Sequence, residues 1–297
     1  LIARISGESA QTVTQRLWEE EKCLGLNVRR DLVAFGLKPH VWSDQLLEFY
    51  SQTHAFMYET TVWNRTPLKC QLREWIIQYL QSDTNQPLKI LCFGDGLGFD
   101  STAMAQAGHV VTYFEPSLSC QEFAKSVFAA NQVAVRTVQS PLEFQGELFD
   151  VVLSLDVLEH VPDPSGLVQT FTQWLKPNGL LIAHSPFFLV SHYYSTHLKS
   201  NQQYSGDWKL YQQQGLHPIA GRMFGEPLVL QKTTSPPSIP LPLRCGSWLL
   251  SLGRGSLNGI HCQVARFMSR RDPRWQRDLE QRLSRYCENS LPAKSND

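Results

Sequence analysis

Residues 88–98 read LKILCFGDGLG, and this run decides the fold. An apolar segment of strand length ends in three glycines at alternate positions, Gly94, Gly96 and Gly98. Asp100 or Ser101 then offers a helix cap, with a helical pattern behind it. A strand that turns through glycines into a helix leaves bare backbone amides and a positive helix end facing a ligand, where side chains would block close approach. The run therefore reads as a site for a nucleoside-like cofactor. A dinucleotide fingerprint wants Gly-x-Gly-x-x-Gly, and its last position would fall on Phe99 or Ser101, which weakens a nicotinamide or flavin reading. No Gly-Lys-Ser/Thr follows, so an ATP-cradling loop is a poor fit as well.

Downstream of this run, short apolar segments at 88–93, 109–114, 133–138, 149–155 and 179–184 alternate with helical patterns near 99–107, 117–130 and 163–175. Such alternation predicts right-handed crossovers and a parallel sheet covered on both faces. Upstream, residues 1–85 carry apolar residues at helical spacing and no strand pattern, as in QTVTQRLWEEEKCLGL, WSDQLLEFYSQTHAFMYETTVW and PLKCQLREWIIQYL. Residues 186–205 read as a long loop rich in His, Tyr and Ser, followed by a short helix near 206–214. Strand candidates follow at 218–232 and 259–268, with the proline-rich TTSPPSIPLPL between them read as an irregular excursion. The tail 266–285 holds seven arginines and reads as an amphipathic helix, either a solvated surface helix or a docking element.

Composition narrows the class. The chain has 297 residues, 27 basic and 27 acidic, which leaves no electrostatic footprint for nucleic acid as a partner. The longest apolar stretches, such as 179–190, contain His184 and Pro186 and are too short for a membrane span. Seven cysteines stand without paired spacing, which favours a reducing, cytoplasmic setting. A first residue that is Leu rather than Met suggests a trimmed chain or a domain cut from something larger.

The second strand ends in Glu115, seventeen residues after Gly98. An acid at that tip can accept both hydroxyls of an adenosyl ribose; the alternative is a helix-capping acid before Pro116. The fourth strand runs into LFDVVLSLDVLEHVPDP, and WLKPNGLLIAHSP enters the fifth. In this order and spacing, over roughly residues 85–190, the sequence resembles the class I S-adenosylmethionine-dependent methyltransferases. The resemblance implies a doubly wound, Rossmann-like α/β sheet of seven strands with a reversed last strand, plus an N-terminal helical lid. The implied division is a lid at 1–85, an S-adenosylmethionine-binding core at 86–270 and a C-terminal helix and tail at 271–297. It places cofactor contacts at Gly94, Asp95, Gly96, Gly98 and Glu115, and at Ser140, Pro141 and Leu142 near the adenine. Leu155 and Asp156 would line the other side of the cofactor. One departure is plain: the acid usual two positions before the first glycine is Cys92 here, with Asp95 or Asp100 as compensating groups.

Methyl transfer needs alignment of nucleophile, methyl and sulfur, and removal of a proton where the nucleophile carries one. A helical lid would exclude water, and YETTVWNRT, with Tyr58, Trp63, Asn64 and Arg65, is its most unusual stretch; these residues are also read as ordinary core and surface positions. Asp156, Glu159 and His160 form an Asp-x-x-Glu-His cluster that a helical turn would aim at one point. Oxygen and imidazole ligands at that spacing suit a divalent metal or iron, with His192, His197 or Gln203 completing the set. Metal-dependent methyltransferases, ubiquinone-pathway O-methyltransferases and small-RNA 2′-O-methyltransferases are similar there, but Glu-His-Val also occurs in members that bind no metal. His160, His192 and His197 are equally the candidate catalytic residues as bases or substrate contacts, with Tyr193 and Tyr194 lining an aromatic pocket or covering the loop. The leading expectation is methylation of a small-molecule or acyl-carrier-tethered substrate, with metal-assisted C-methylation of the polyketide kind beside neighbouring domains of a larger enzyme as its narrower form. The alternatives are a small-metabolite O-methyltransferase and a catalytically degenerate binding domain.

Overall fold

Residues 1–252, apart from 84–85, 145, 192, 223–226 and 236, are described by a computed structural model. The glycine run begins where strand β1 (Lys89–Phe93) ends, and the chain turns into helix α7 (Phe99–Gln106) after five N-terminal helices and a sixth. Those are α1 (Ile2–Ser6), α2 (Ala10–Lys22), α3 (Leu26–Ala34), α4 (Asp44–Gln52), α5 (Ala55–Trp63) and α6 (Pro67–Asp83). β2 (Val110–Phe114), α8 (Leu118–Ala130), β3 (Val135–Val138), β4 (Phe149–Leu155), α9 (Pro164–Trp174) and β5 (Leu175–His184) complete the alternation. α10 (Lys209–Gln212), β6 (Leu216–Gly221), β7 (Leu228–Lys232) and α11 (Leu241–Leu252) follow.

The seven strands lie in the order β3-β2-β1-β4-β5-β7-β6. The first five are parallel, and β7 runs antiparallel to both β5 and β6. This is the doubly wound fold with a reversed final strand that the sequence predicts. One strand expectation changes: 218–232 is two strands, β6 and β7, which bring the strands among the described residues to seven by Lys232. The expected strand at 259–268, the arginine-rich tail and the 271–297 segment lie outside the described residues. TTSPPSIPLPL is irregular only in its first part, because Leu241–Leu243 open α11.

Alternate side chains of each strand go to opposite faces. From β1, Ile90 and Cys92 join α6 (Leu72, Ile76, Leu80) and α7 (Met104) on one face. Leu91 goes to the other face with Val152, Leu181, Leu230 and the α9 residues Val168 and Phe171. Each such buried side chain contributes roughly 1.5–3 kcal/mol against leaving it in water. The expected boundary at 85 falls between α6 and β1, yet α6 packs flat on the sheet and belongs to its first layer. The covering part is α1–α5, whose own core joins Val13, Leu17, Met57, Tyr58 and Val62 to Leu97 and Phe123. α4 and α5 are separate helices because the chain is extended at Thr53, whose hydroxyl accepts from Ala55 N at 3.0 Å. Among the described residues no helix is long and apolar enough to cross a membrane.

Candidate active site

The three glycines do three different jobs, and all sit at positive φ. A Cβ on Gly94 would lie 2.7 Å from Val157 Cγ2, so this glycine lets the loop after β4 close onto the loop after β1. A Cβ on Gly98 would lie 2.7 Å from Phe128 and 2.8 Å from Ala124, so Gly98 serves the packing of α7 on α8. Gly96 faces open space, with Thr60 Cγ2 of α5 the nearest atom at 3.7 Å. Its carbonyl accepts from Tyr113 Oη at 2.6 Å, and its amide donates to Glu115 Oε2 at 2.9 Å.

Glu115 also accepts from Ser117 N at 2.9 Å. Both donors are backbone amides and no cation faces the carboxylate in these contacts. Burial therefore pushes its carboxyl up to about 7, against the pull of the Ser117 and Gly96 amides. Asp95 turns away from the cavity: its oxygens accept from Asp100 N (3.1 Å) and Ser101 N (2.7 Å), capping α7. Burial and the neighbouring Asp100 raise it to about 7. Cys92 is buried beneath this cap, its thiol pushed well up by burial and by Asp95. Ser140 and Pro141, expected near the adenine, lie outside the cavity lining. Ser140 N and Gln139 N both donate to Glu143, which fixes the start of a 3-10 turn at Pro141–Phe144.

Asp156, one residue beyond β4, is the hub. Its backbone sits at φ +61°, a strained setting for a non-glycine residue. Oδ2 accepts from Trp63 Nε1 at 2.9 Å and from Lys69 Nζ at 3.0 Å, while Oδ1 meets His184 Nδ1 at 2.6 Å. Lys69 is 3% exposed and also reaches Asp100 at 3.3 Å, which Arg73 holds at 2.7 Å. Burial opposes ionisation of Asp156, but Lys69 and His184 outweigh it and hold its carboxyl well below the usual range. Burial likewise opposes the charge on Lys69, and Asp100 and Asp156 outweigh it and raise its pKa. This network ties α5 and α6 to the strand ends. Sequence reasoning had no signal for Lys69, and it missed His184 as well.

Beyond Asp156 a 3-10 turn, Leu158–His160, carries the histidine cluster. Glu159, His160 and His197 bring ligand atoms within 4.8 Å of one another, the one such group of three among the described residues. Glu159 Oε1 is 3.8 Å from His160 Nε2 and 4.0 Å from His197 Nε2. Asp156 does not join them: its oxygens face the lid and β5, because the positive φ turns it away from the helical arc that the spacing suggested. Gln203 is exposed in the 3-10 segment Lys199–Tyr204, and His192 lies outside the described residues. Burial lowers His160 to about 4 against the pull of Asp156, and burial and His160 hold His197 well below its usual value, so both rings are neutral at neutral pH. Tyr50 Oη lies 3.2 Å from His160 Nδ1. Asn201 pins the turn by donating to the carbonyls of Leu158 (3.2 Å), Glu159 (3.3 Å) and Val161 (2.8 Å).

One cavity of about 550 Å³ is lined by Gly94, Gly96, Glu115 and Asp156 together with His160, His184 and His197. α4 and α5 roof it with Tyr50, Phe56, Glu59 and Trp63, and Tyr194 closes the side. Of the lid residues singled out in the sequence, Trp63 lines the cavity. Tyr58 is core, with its hydroxyl on Glu8 and Arg16 over its ring at 4.9 Å. Asn64 Oδ1 accepts from Arg73 at 2.5 Å.

The methyltransferase-domain family model matches residues 64–217, just over half of the chain. The chain belongs to the methyltransferase-domain family. Its strand order and glycine loop are those of the class I methyltransferase fold. Curated relatives of this methyltransferase include the ubiquinone biosynthesis O-methyltransferase of Haemophilus ducreyi, 36% identical over 113 residues, 35% of this chain and 48% of that protein. The Histophilus somni protein of the same name is 35% identical over 121 residues, 37% of this chain and 51% of that protein. The chain thus spans about half the length of the curated relatives it matches. Among solved structures, magnesium protoporphyrin IX methyltransferase from Synechocystis PCC 6803 with bound SAM is similar at TM-score 0.42 and 20% identity, over 54% of this chain and 77% of that one.

Proposed function

We propose that this methyltransferase transfers a methyl group to the hydroxyl of a small aromatic acceptor. The observation that carries the reading is the single cavity, which joins the glycine loop to an end walled by aromatic rings and neutral imidazoles. The relatives named as O-methyltransferases favour oxygen over the carbon of a carrier-tethered acyl group. The residues fit the cofactor. The bare Gly94 and Gly96 backbone can lie against it, and Glu115, engaged only by two backbone amides in the contacts above, keeps lone pairs for ribose hydroxyls. S-adenosylmethionine supplies an electrophilic methyl on a sulfonium that leaves as a neutral thioether, so no acid is needed for the leaving group.

The chain's part is to orient and to keep water out. Tyr50, Phe56 and Trp63 cover the strand ends and would hold a flat ring against the methyl. Trp63 and Lys69, both bonded to Asp156, keep the roof closed. Glu159, His160 and His197 suit a divalent cation, one carboxylate and two neutral imidazoles, and such an ion would act as a Lewis acid on the acceptor oxygen.

Incubation with S-adenosylmethionine and a panel of phenols and dihydroxybenzenes, with and without added magnesium, manganese or zinc, tests the reading by mass spectrometry. Formation of an aryl methyl ether is expected. Methylation of a malonyl-carrier protein with no phenol methylated under any metal condition would overturn it in favour of the acyl reading.

A further inference from the structure

One acid in the roof of the cavity has neither a hydrogen-bond partner nor an ion-pair partner among the described residues: Glu59 of α5. We infer that Glu59 determines acceptor specificity by taking an alkylammonium group carried on the acceptor's ring. The inference rests on the O-methylation reading above and narrows its acceptor to phenols that bear a basic amine.

α5 presents Phe56, Glu59, Thr60 and Trp63 to the cavity, the spacing of one helical face. Within that face, neighbouring residues still point in different directions. Thr60 turns to the glycine loop, its Cγ2 3.7 Å from where a Gly96 Cβ would stand. Glu59 turns to the junction of α2 with α3. Its Oε1 lies 3.3 Å from where a Gly25 Cβ would stand, beside the Tyr193 carbonyl of the loop after β5. The acid is thus set off from the loop that serves the cofactor.

The donors of the α2–α3 junction go to a different acid. Gly25 N (2.6 Å), Asn27 N (2.8 Å) and Asn27 Nδ2 (2.8 Å) all donate to Glu20. The negative groups that act on Glu59 are this Glu20 and Asp156, and Glu59 in turn acts on Tyr50 of α4. Burial first, then Glu20 and Asp156, push the Glu59 carboxyl well above the usual carboxylate range. Asp156 already has its cation in Lys69, and Glu115 has two backbone amides. Glu59 has no such compensation, and a cation brought by a ligand would supply it.

The rest of the lining points the same way. It carries four acids, Glu59, Glu115, Asp156 and Asp163, and no Lys or Arg among the described residues. Phe56, one turn before Glu59, stacks on Tyr50 at 4.9 Å between centroids, so aromatic rings stand beside the acid. Ring faces attract ammonium groups and repel carboxylates. As the ammonium settles, the Glu59 carboxyl gives its proton to solvent and pairs as the carboxylate.

The test measures affinity by calorimetry on protein loaded with S-adenosylhomocysteine. The probes are phenols with an aminoalkyl, alkyl or carboxyalkyl chain of matched length, in a series of chain lengths. In the wild type the best aminoalkylphenol should bind about ten- to a hundredfold tighter than its alkyl counterpart, as expected of hydrogen bonds to a charged group. The carboxyalkylphenol should bind weakest. Glu59→Gln should bring the amine-to-alkyl ratio within about threefold of one, and Glu59→Asp should recover part of it. Thermal unfolding of Glu59→Gln should not fall below wild type, because the change removes an acid that Glu20 and Asp156 repel. A ratio near one in the wild type, or one that survives in Glu59→Gln, would overturn the inference while the O-methylation reading stands. S-adenosylmethionine also carries an ammonium, so S-adenosylhomocysteine and methylthioadenosine, which lacks it, are titrated alongside. Weaker binding of the first alone in Glu59→Gln would assign Glu59 to the cofactor and overturn its acceptor role. Wild-type protein that methylates no phenol would overturn the O-methylation reading and this role with it.

Discussion

Replacing Glu115 with glutamine tests the cofactor end of the cavity without changing side-chain size. In the wild type, burial raises the Glu115 carboxyl from 4.5 to about 7, and only the Ser117 and Gly96 amides pull the other way. At about 1.4 kcal/mol per pH unit, ionised Glu115 costs the ligand-free fold about 3 kcal/mol above pH 7. The folded chain holds this proton more tightly than the unfolded chain. The contribution to stability is therefore full below about pH 4.5 and is lost as pH rises through about 7. Ligand hydroxyls that donate to the carboxylate favour its ionised form, so cofactor binding should expel the proton. At pH 6.5 a group titrating near 7 is about three-quarters protonated, so release should approach ~0.7 proton per ligand. Calorimetric titration with S-adenosylhomocysteine in two buffers of different ionisation enthalpy measures that release. Glu115→Gln should abolish it and cost about 1.5–3 kcal/mol in affinity, the worth of hydrogen bonds to a charged acceptor. Heats that do not depend on buffer in the wild type would refute the reasoning. Proton release that survives in the variant would move the titration to Asp95, the other acid raised to about 7.

Lys69→Met removes a buried cation from between Asp100 and Asp156. Breaking a buried pair typically costs 3–5 kcal/mol, and because Arg73, Trp63 and His184 remain as partners the loss should be about 3 kcal/mol in urea unfolding. A loss under about 1 kcal/mol would show that the network is not what fastens the lid. Gly98→Ala drives a Cβ to 2.7 Å from Phe128 at φ +77° and should cost about 2–3 kcal/mol in thermal unfolding. Gly96→Ala, with nothing nearer than 3.7 Å, should cost about 1 kcal/mol in stability and weaken S-adenosylhomocysteine binding more than Gly98→Ala does.

What the sequence made legible follows from what is local. Strands buried on both faces show as apolar runs, so β1, β2 and β4 and the glycine turn could be read directly, as could Glu115 at a strand tip. The β6–β7 hairpin read as one strand, although the turn signals of GRMFGEP at 221–227 separate its two apolar halves in the sequence. Asp156, Glu159 and His160 have the spacing of one helical face, but nothing in the sequence announces that Asp156 takes a positive φ. Lys69 was hidden because a lysine in an amphipathic helix reads as solvated, and its burial depends on two acids contributed from elsewhere. His184 could have been found. The fourth and fifth strands of a parallel sheet end at the same edge, so an acid just past one and a histidine closing the other are neighbours by topology.

The two acids at the strand ends show how one edge serves two tasks. Both are buried, and burial alone would raise both. Glu115 meets backbone amides, whose partial charges only partly repay its desolvation, so it stays close to its titration point near neutral pH. Asp156 meets a whole cation in Lys69, an indole N–H and an imidazole, so it stays ionised far below neutral pH. An acid poised near 7 suits a group that is completed by a ligand, because donors brought by that ligand can change its protonation. An acid locked as a carboxylate suits a group that must hold a ring in one tautomer throughout a reaction. Exchanging the partners should exchange the behaviours. In Lys69→Met the Asp156 carboxyl must rise, because the cation that holds it down is gone. A raised Asp156 titration read by carboxyl NMR, with Glu115-linked proton release unchanged, would separate the behaviours of the two acids in one variant.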